Sequence, residues 1–275
     1  MIHFRILFSL LFLWVLPTLA YAAQPLETET ARLLEAGSFR VETTFEYQTS
    51  SQGTETAVPL EFEYGIRNDL ELKVEPVVYT TIRPKGERNA SGPGDLELTL
   101  IYRFFDETPL IPALAIAGEV KIPTTKNALI GTGEVDYGPM LIASKQFGKL
   151  DTHLNVSYFI LGEPSGVKLK NIVTYAAAAV YHLNEKIDLV GEIVGNTSSS
   201  PRIKAREIPD GGTQFQANEQ NLGGENNLVP EATGQEVSGM LGARYYLRSD
   251  FFVSLGVSYD NNDAVLLRPG FTWRF

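Results

Sequence analysis

The sequence predicts an all-β fold, an antiparallel up-and-down transmembrane β-barrel of about twelve strands. Three observations carry this prediction. Apolar and polar residues alternate in a series of short segments, the connections between them are by turns short and long, and the final segment ends on an aromatic residue.

The composition excludes several other classes of protein. Of 275 residues, 44% are hydrophobic, which is too many for a disordered chain. The mean hydropathy of −0.05 argues against a bundle of membrane helices. With no cysteine there are no disulfides, thiolate metal sites or cysteine nucleophiles. The net charge of −10 disfavours nucleic acid as a partner.

Residues 1–22 have the pattern of a secretory signal peptide. Arg5 precedes an apolar stretch over 6–16, Pro17 interrupts it, and Ala20-Tyr21-Ala22 offers a small-x-small cleavage site. The alternative, an uncleaved anchor helix, is disfavoured because the stretch is too short to span a bilayer. Removal of the signal leaves 22 basic and 33 acidic residues and a net charge of −11.

The predicted strands follow in order. Along 37–48, apolar side chains such as Phe39 and Val41 alternate with charged ones such as Arg40 and Glu42. For two later strands, 134–147 and 171–183, the sequence does not show which face is apolar, because Pro139 and the alanine run 176–179 interrupt the alternation. The remaining predicted strands are 57–66, 70–79, 94–105, 112–122, 134–147, 152–162, 171–183, 187–196, 235–247, 251–260 and 264–275.

The connections between these strands sort into two sets. When the connections are numbered from the N-terminus, the even-numbered ones are all short, whereas most of the odd-numbered ones are longer and rich in Gly, Ser, Asn, Thr and Pro. Outer-membrane barrels place short turns in the periplasm and longer loops outside the cell. With twelve strands, both termini then lie in the periplasm. The longest connection, 197–234, either folds into the pore or stays a solvated surface loop.

Aromatic residues indicate which face meets lipid. Phe271, Trp273 and Phe275 share one face of the last strand, an ending that resembles the assembly signal of bacterial outer-membrane barrels. The alternative is the terminal strand of a soluble barrel. Further aromatic residues lie near strand ends on the apolar faces, where membrane barrels carry girdles: Tyr47, Tyr64, Tyr102, Tyr245, Tyr259 and Trp273.

Residues 23–36 precede the first strand and form the N-terminal segment. This segment is either a short periplasmic extension or a small plug in the barrel mouth. Thr28–Ala36 has the composition of a short helix that Gly37 would end.

The polar faces of the strands predict a charged lumen. Its side chains either fill a hydrated interior or form a constriction that selects solutes. The excess of glutamate on the early strands favours cations or neutral solutes over anions. The candidates for lumen and selectivity residues are Glu61, Glu63, Lys73, Glu75, Glu97, Arg103, Glu119, Lys121, Glu192 and Arg244.

Motifs for enzymatic chemistry are scarce. The histidines, His3, His153 and His182, show no metal-binding spacing, so we expect no metal, cofactor or catalytic residue. One alternative stays open, a hydrolase in the barrel wall that uses Ser144 and His153 on neighbouring strands.

Several short motifs are spread over nearly the whole mature chain. They are Asn68–Leu72, Ser91–Leu96, Lys121–Thr124 followed by Gly131–Gly133, Asp136–Pro139 with Ser144–Gly148, and Gly191–Asn196. In this order and spacing they resemble the outer-membrane β-barrel family called "MetA-pathway of phenol degradation", which is distantly similar to the larger fatty-acid and aromatic hydrocarbon channels. The resemblance implies a barrel channel for small hydrophobic or aromatic compounds and transfers no catalytic residue.

Together these features predict a bacterial outer-membrane channel for passive uptake of small, aromatic or hydrophobic solutes. Its expected partners are outer-membrane lipids, the barrel assembly machinery and a small-molecule solute, with no nucleic acid. The alternative is a non-transporting barrel, either a structural surface protein or a membrane hydrolase. A measurement of solute flux through the lumen distinguishes the channel from the non-transporting barrel.

Overall fold

The computed structural model describes residues 23–86, 88–165, 168–199 and 235–275. The predicted signal peptide and most of connection 197–234 lie outside these ranges. Within them the chain forms one antiparallel sheet. Its strands are β1 (Phe39–Thr44), β2 (Glu46–Thr49), β3 (Gly53–Arg67), β4 (Leu70–Pro84), β5 (Ala90–Gly92), β6 (Leu96–Phe105), β7 (Ala113–Ile122), β8 (Asp136–Phe147), β9 (Leu150–Phe159), β10 (Ile172–Asn184), β11 (Ile187–Asn196), β12 (Glu236–Arg248), β13 (Phe251–Asp260) and β14 (Val265–Arg274).

The sheet closes on itself. Strand β14 pairs with both β1 and β2, and these two also pair with β3, so they are two parts of one wall strand interrupted at Phe45. Strands β5 and β6 are likewise two parts of one strand beside β4. The described residues therefore form a closed barrel of twelve wall strands, as the sequence predicts. Closure leaves no unpaired edge, which lipid could not satisfy.

The two faces of the wall differ in chemistry. On β9, Leu154 and Val156 are exposed on the outer face, while His153 and Asn155 are buried on the inner face. The tyrosines predicted to form girdles, and Trp273, are exposed on the outside. The strands of ambiguous facing also alternate, since Ser144 on β8 and Val180 on β10 point inward.

The connections divide the barrel into two rims. The rim with the short connections 68–69, 106–112, 148–149, 185–186 and 249–250 is called the turn rim. The opposite rim carries the longest connections between neighbouring strands in the described ranges, 123–135 and 160–171, and is called the loop rim. Among the described residues, no helix is long and apolar enough to cross a membrane.

The N-terminal segment lies inside the barrel without forming a helix. The expectation of a helix over Thr28–Ala36 was wrong for a physical reason. A helix needs each backbone N–H to donate to a carbonyl four residues earlier. Here the N–H groups of Thr28, Glu29 and Leu34 donate instead to side chains of the barrel wall.

Candidate pore

The N-terminal segment enters the lumen at the turn rim. Ala36 N donates to Asn68 Oδ1 over 2.9 Å, and Gly37 N donates to the Gly65 carbonyl over 2.7 Å. A Cβ at Gly65 would collide with the Glu35 carbonyl, so a glycine is needed where the segment passes this closely. From here the segment runs into the barrel, and Ala31 and Leu34 are fully buried there.

Glu192 on β11 holds the middle of the segment. Its carboxylate accepts hydrogen bonds from Glu27 N over 3.0 Å and from Thr28 N over 2.6 Å, and it also bonds the Thr28 hydroxyl. Next to it, Asn155 on β9 accepts from Glu29 N over 2.6 Å and donates to the Glu29 carbonyl over 3.0 Å. These side chains replace the backbone partners that a helix would supply.

Two arginines, on β12 and β14, hold the start of the segment. Arg244 on β12 donates to the carbonyls of Ala23 and Gln24, the latter over 2.8 Å. Arg268 on β14 donates to the Pro25 carbonyl over 3.2 Å and pairs with Glu27 over 2.6 Å. Since arginine presents several donors in a fixed fork, one side chain can satisfy several carbonyls.

Ser144 and His153 meet inside the lumen. Ser144 Oγ lies 2.9 Å from His153 Nδ1, and Asp151 Oδ2 lies 3.7 Å from the other ring nitrogen. Ser144 Oγ also accepts from Ala31 N over 2.9 Å and lies 3.2 Å from the Thr30 hydroxyl. The serine and histidine are almost fully buried beneath the N-terminal segment, so this geometry anchors the segment and offers a substrate no access.

A second anchor joins the segment to a short turn. Arg32 bonds Asp151 on β9 and pairs with Glu107, in connection 106–112, over 2.6 Å. Burial tends to raise the pKa of the Glu107 carboxyl, but hydrogen bonds from Lys145 and Arg32 outweigh it and hold that pKa below its usual value. Glu107 is therefore a carboxylate at neutral pH and a partner for both cations.

The ten predicted lumen residues fall into three groups. Four contact the N-terminal segment: Lys73, Arg103, Glu192 and Arg244. Three line an open cavity at the loop rim: Glu97, Glu119 and Lys121. Three belong to ion-pair networks of the wall: Glu61, Glu63 and Glu75.

The wall network also contains the best candidate for a metal site. Carboxylate oxygens of Glu42, Glu61 and Glu63 lie within 4.8 Å of one another. Arg40 pairs with Glu42 over 2.7 Å and with Glu63 over 2.5 Å, and Lys73 pairs with Glu61 over 3.1 Å. These cations neutralise most of the charge that would attract a metal ion, so we assign none.

A cavity of about 680 Å³ lies in the loop-rim half of the lumen. Its described lining carries nine carboxylates and two cations, a formal charge of −7. Both cations already form ion pairs, Lys121 with Asp136 over 2.5 Å and Arg268 with Glu46 over 2.8 Å. The carboxylates are Glu27, Glu46, Glu55, Asp95, Glu97, Glu119, Asp136, Glu236 and Asp260.

One sector of the cavity differs from the rest. The described lining residues of β9 to β11 and their loop carry no charge, and they include Phe159, Leu161, Ile172 and Val194. The cavity therefore has an uncharged side and an acidic side.

Sequence reasoning missed several anchors of the N-terminal segment, chiefly Arg32, Asp151 and Asn155. Along β9, His153 and Asn155 alternate with Leu154 and Val156, and this period of two indicates that Asn155 faces inward. Nothing local showed that a segment more than 100 residues earlier would occupy the space beside it.

A family model described as "Putative MetA-pathway of phenol degradation" matches residues 22–259. Because the match covers most of the chain, the chain belongs to this family. No curated protein has a sequence significantly similar to it.

Three solved structures illustrate the similarity of fold. The COG4313 outer membrane channel from Pseudomonas putida F1 has a TM-score of 0.64 at 12% identity, covering 89% of this chain and 98% of the other. The NanC porin has a TM-score of 0.55 at 12% identity, covering 85% and 98%. The KdgM porin, solved with oligogalacturonate, has a TM-score of 0.53 at 9% identity, covering 85% and 99%. At these identities the likeness concerns the fold.

Proposed function

We propose that this family member is a bacterial outer-membrane channel for passive uptake of small solutes, with apolar or aromatic compounds as the solute class. The observation that carries the proposal is the division of the lumen. The loop-rim half contains a cavity of about 680 Å³, and the other half is occupied by the N-terminal segment, which is held by polar contacts.

The location in the outer membrane rests on features of sequence and surface. The signal pattern over 1–22 supports export, and the final aromatic residues support recognition by the barrel assembly machinery. Exposed apolar side chains cover the outer face, as contact with lipid requires. Outer-membrane lipids are therefore the proposed surroundings of the wall.

The uncharged sector of the cavity supports an apolar or aromatic solute. Phe159, Leu161 and Ile172 give such a molecule a surface on which to leave water. The description of the family points to the same class of compound.

The N-terminal segment is the proposed restriction of the pore. Its contacts with Glu192, Arg244, Ser144 and Asp151 are hydrogen bonds and ion pairs. Water can replace such contacts at modest net cost, whereas the ladder of the wall has no alternative partner in lipid. The segment is thus the part of the lumen most able to move.

The alternative function, a hydrolase, receives no support from Ser144 and His153. The serine oxygen is in contact with Ala31 N and Thr30 Oγ1, which leaves no position for an acyl group. We propose that this pair has a structural role and that the protein is not an enzyme.

The test is the single-channel conductance of the full chain in planar bilayers, compared with a variant that lacks residues 24–35. We expect a small conductance from the full chain and a several-fold larger one from the variant. After subtraction of uptake by protein-free liposomes, which phenol enters unaided, liposome uptake should favour phenol over a sugar of similar mass. A barrel with neither conductance nor uptake in both forms would reject the channel.

A further inference from the structure

The loop-rim cavity has a strongly uneven distribution of charge. Its acidic residues come from β2, β3, β6, β7, β8, β12 and β13 and from Asp95 and Glu27, while the described lining from β9 to β11 is uncharged. A solute that fills the cavity therefore meets carboxylates on one side and, on the other, uncharged side chains that include Phe159, Leu161 and Ile172.

Glu55 on β3 marks the acidic side. Its side chain is 7% exposed and lines the cavity. Oε1 accepts a hydrogen bond from the Thr80 hydroxyl over 3.2 Å, whereas Oε2 has no hydrogen-bond partner among the described residues. A buried carboxylate oxygen without a partner is unfavourable, so a donor from a bound solute would stabilise it.

The uncharged side lies opposite Glu55. Around the barrel, five wall strands separate β3 from β10 in either direction. The apolar residues of this side include Ile172 on β10, Phe159 on β9 and Leu161 in the following loop. A molecule lying across the cavity would have one end at the carboxylate and the other at these apolar residues.

The cations already in the cavity offer little to an anionic solute. Arg268 pairs with Glu27 and Glu46, and Lys121 pairs with Asp136. The formal charge of −7 would repel an anion. An inorganic cation would satisfy the carboxylates but would leave Phe159, Leu161 and Ile172 on the uncharged side without an apolar partner.

We propose that the cavity binds amphipathic amines, with the ammonium group at Glu55 and the apolar body against Phe159, Leu161 and Ile172. This deepens the proposed function, because it names the charge and polarity of the solute that the channel admits. The ammonium supplies N–H donors to Oε2, and the body loses contact with water on the opposite side.

The experiment measures equilibrium binding to the full chain in phosphatidylcholine nanodiscs by calorimetry, with empty nanodiscs subtracted. The probes share one skeleton: 4-phenylbutylammonium, 4-phenylbutanol and 4-phenylbutanoate. We expect the amine to bind about tenfold more tightly than the alcohol, because a hydrogen bond to a charged group contributes that much. The carboxylate should bind most weakly.

Glu55→Gln is the test variant and Asp263→Asn the matched control. Asp263 is an exposed loop-rim carboxylate that does not line the cavity. We expect Glu55→Gln to lower the affinity for the amine to that for the alcohol, with the alcohol unaffected, and Asp263→Asn to change neither. Thermal unfolding of both variants at the parent temperature shows that the barrel is intact.

Two results would overturn the proposal. The first is equal binding of amine and alcohol. The second is an amine affinity that Glu55→Gln does not change, including the case in which only Ca²⁺ binding depends on Glu55. Binding at equilibrium requires no flux. If the barrel binds the amine but conducts nothing, the channel is rejected and the amine site stands. If the barrel conducts but shows no preference for the amine, the amine site is rejected and the channel stands.

Discussion

The two halves of the lumen are built on the same strands but filled differently. At the turn rim, the N-terminal segment packs against inward side chains such as Ser144, Asp151 and Glu192. At the loop rim, the same strands enclose a cavity of about 680 Å³ with nine carboxylates on its described lining. The same twelve wall strands run through both halves, so the difference comes from the fourteen residues 23–36 ahead of the first strand.

This difference separates two tasks within one barrel. The wall gives stability through a closed hydrogen-bond ladder, whatever occupies the lumen. In the proposed channel, the N-terminal segment sets how much of the lumen is open, through contacts that can exchange with water. Substitutions at its contacts should therefore change conductance while the barrel stays folded.

The largest effect is expected from Glu192→Ala. The substitution leaves the buried N–H groups of Glu27 and Thr28 without their acceptor, which destabilises the docked segment by about 3 kcal/mol. The ratio of wide to narrow states should rise roughly a hundredfold in single-channel recordings. Glu192→Gln keeps an acceptor oxygen and should have a smaller effect. If wide openings are no more frequent in Glu192→Ala than in the parent protein, the segment does not limit the pore.

Gly256→Ala tests the fit of the segment against β13. An added Cβ would lie 2.8 Å from Pro25 Cβ, and overpacking of this kind costs about 1–3 kcal/mol. We expect more frequent wide openings. Gly239→Ala is the control, since a Cβ there meets nothing within 4 Å. Equal opening frequencies in the two variants would contradict the predicted contact.

The preference of the channel for cations over anions tests the acidic lining of the loop-rim cavity. The acidic lining should make the intact channel prefer cations, and Glu97→Gln with Glu119→Gln should reduce that preference by a few-fold. Reversal potentials across a KCl gradient measure it. The effect should shrink as salt rises, because ions screen the field. A preference for anions in the intact channel would contradict this account of the cavity.

The smallest effect on opening frequency is expected from a fall in pH. The pKa of Glu107 lies below its usual 4.5 in the folded protein. Its pairing with Arg32 is therefore fully present above pH 4.5 and is lost as the pH falls through the lower, folded value. Opening frequency should rise in that acidic range. Glu107→Gln should remove this part of the pH dependence, and an unaltered profile would exclude Glu107 as its source.

The sequence predicted the wall well because alternation is a local signal. The period-2 pattern of residues such as Phe39, Arg40, Val41 and Glu42 shows a strand and its two faces without knowledge of the rest of the chain. The ten lumen candidates followed from the same parity.

The conformation of the N-terminal segment could not be predicted in this way. Thr28 meets Glu192 across 164 residues of sequence, and Ala31 meets Ser144 across 113. Local propensity favoured a helix over Thr28–Ala36. Contacts with distant side chains, which leave no periodic signal, determine an irregular path instead.

The central claim, that the N-terminal segment restricts the pore, is tested most directly by a reversible cross-link. The hydroxyl oxygens of Thr30 and Ser144 lie 3.2 Å apart, and the chain has no cysteine of its own. Thr30→Cys with Ser144→Cys should thus form a single disulfide. Single-channel currents would be recorded from one membrane that contains the variant with both cysteines and Glu192→Ala. Oxidation should abolish the wide openings and reduction should restore them, whereas wide openings that persist with the disulfide formed would contradict the account.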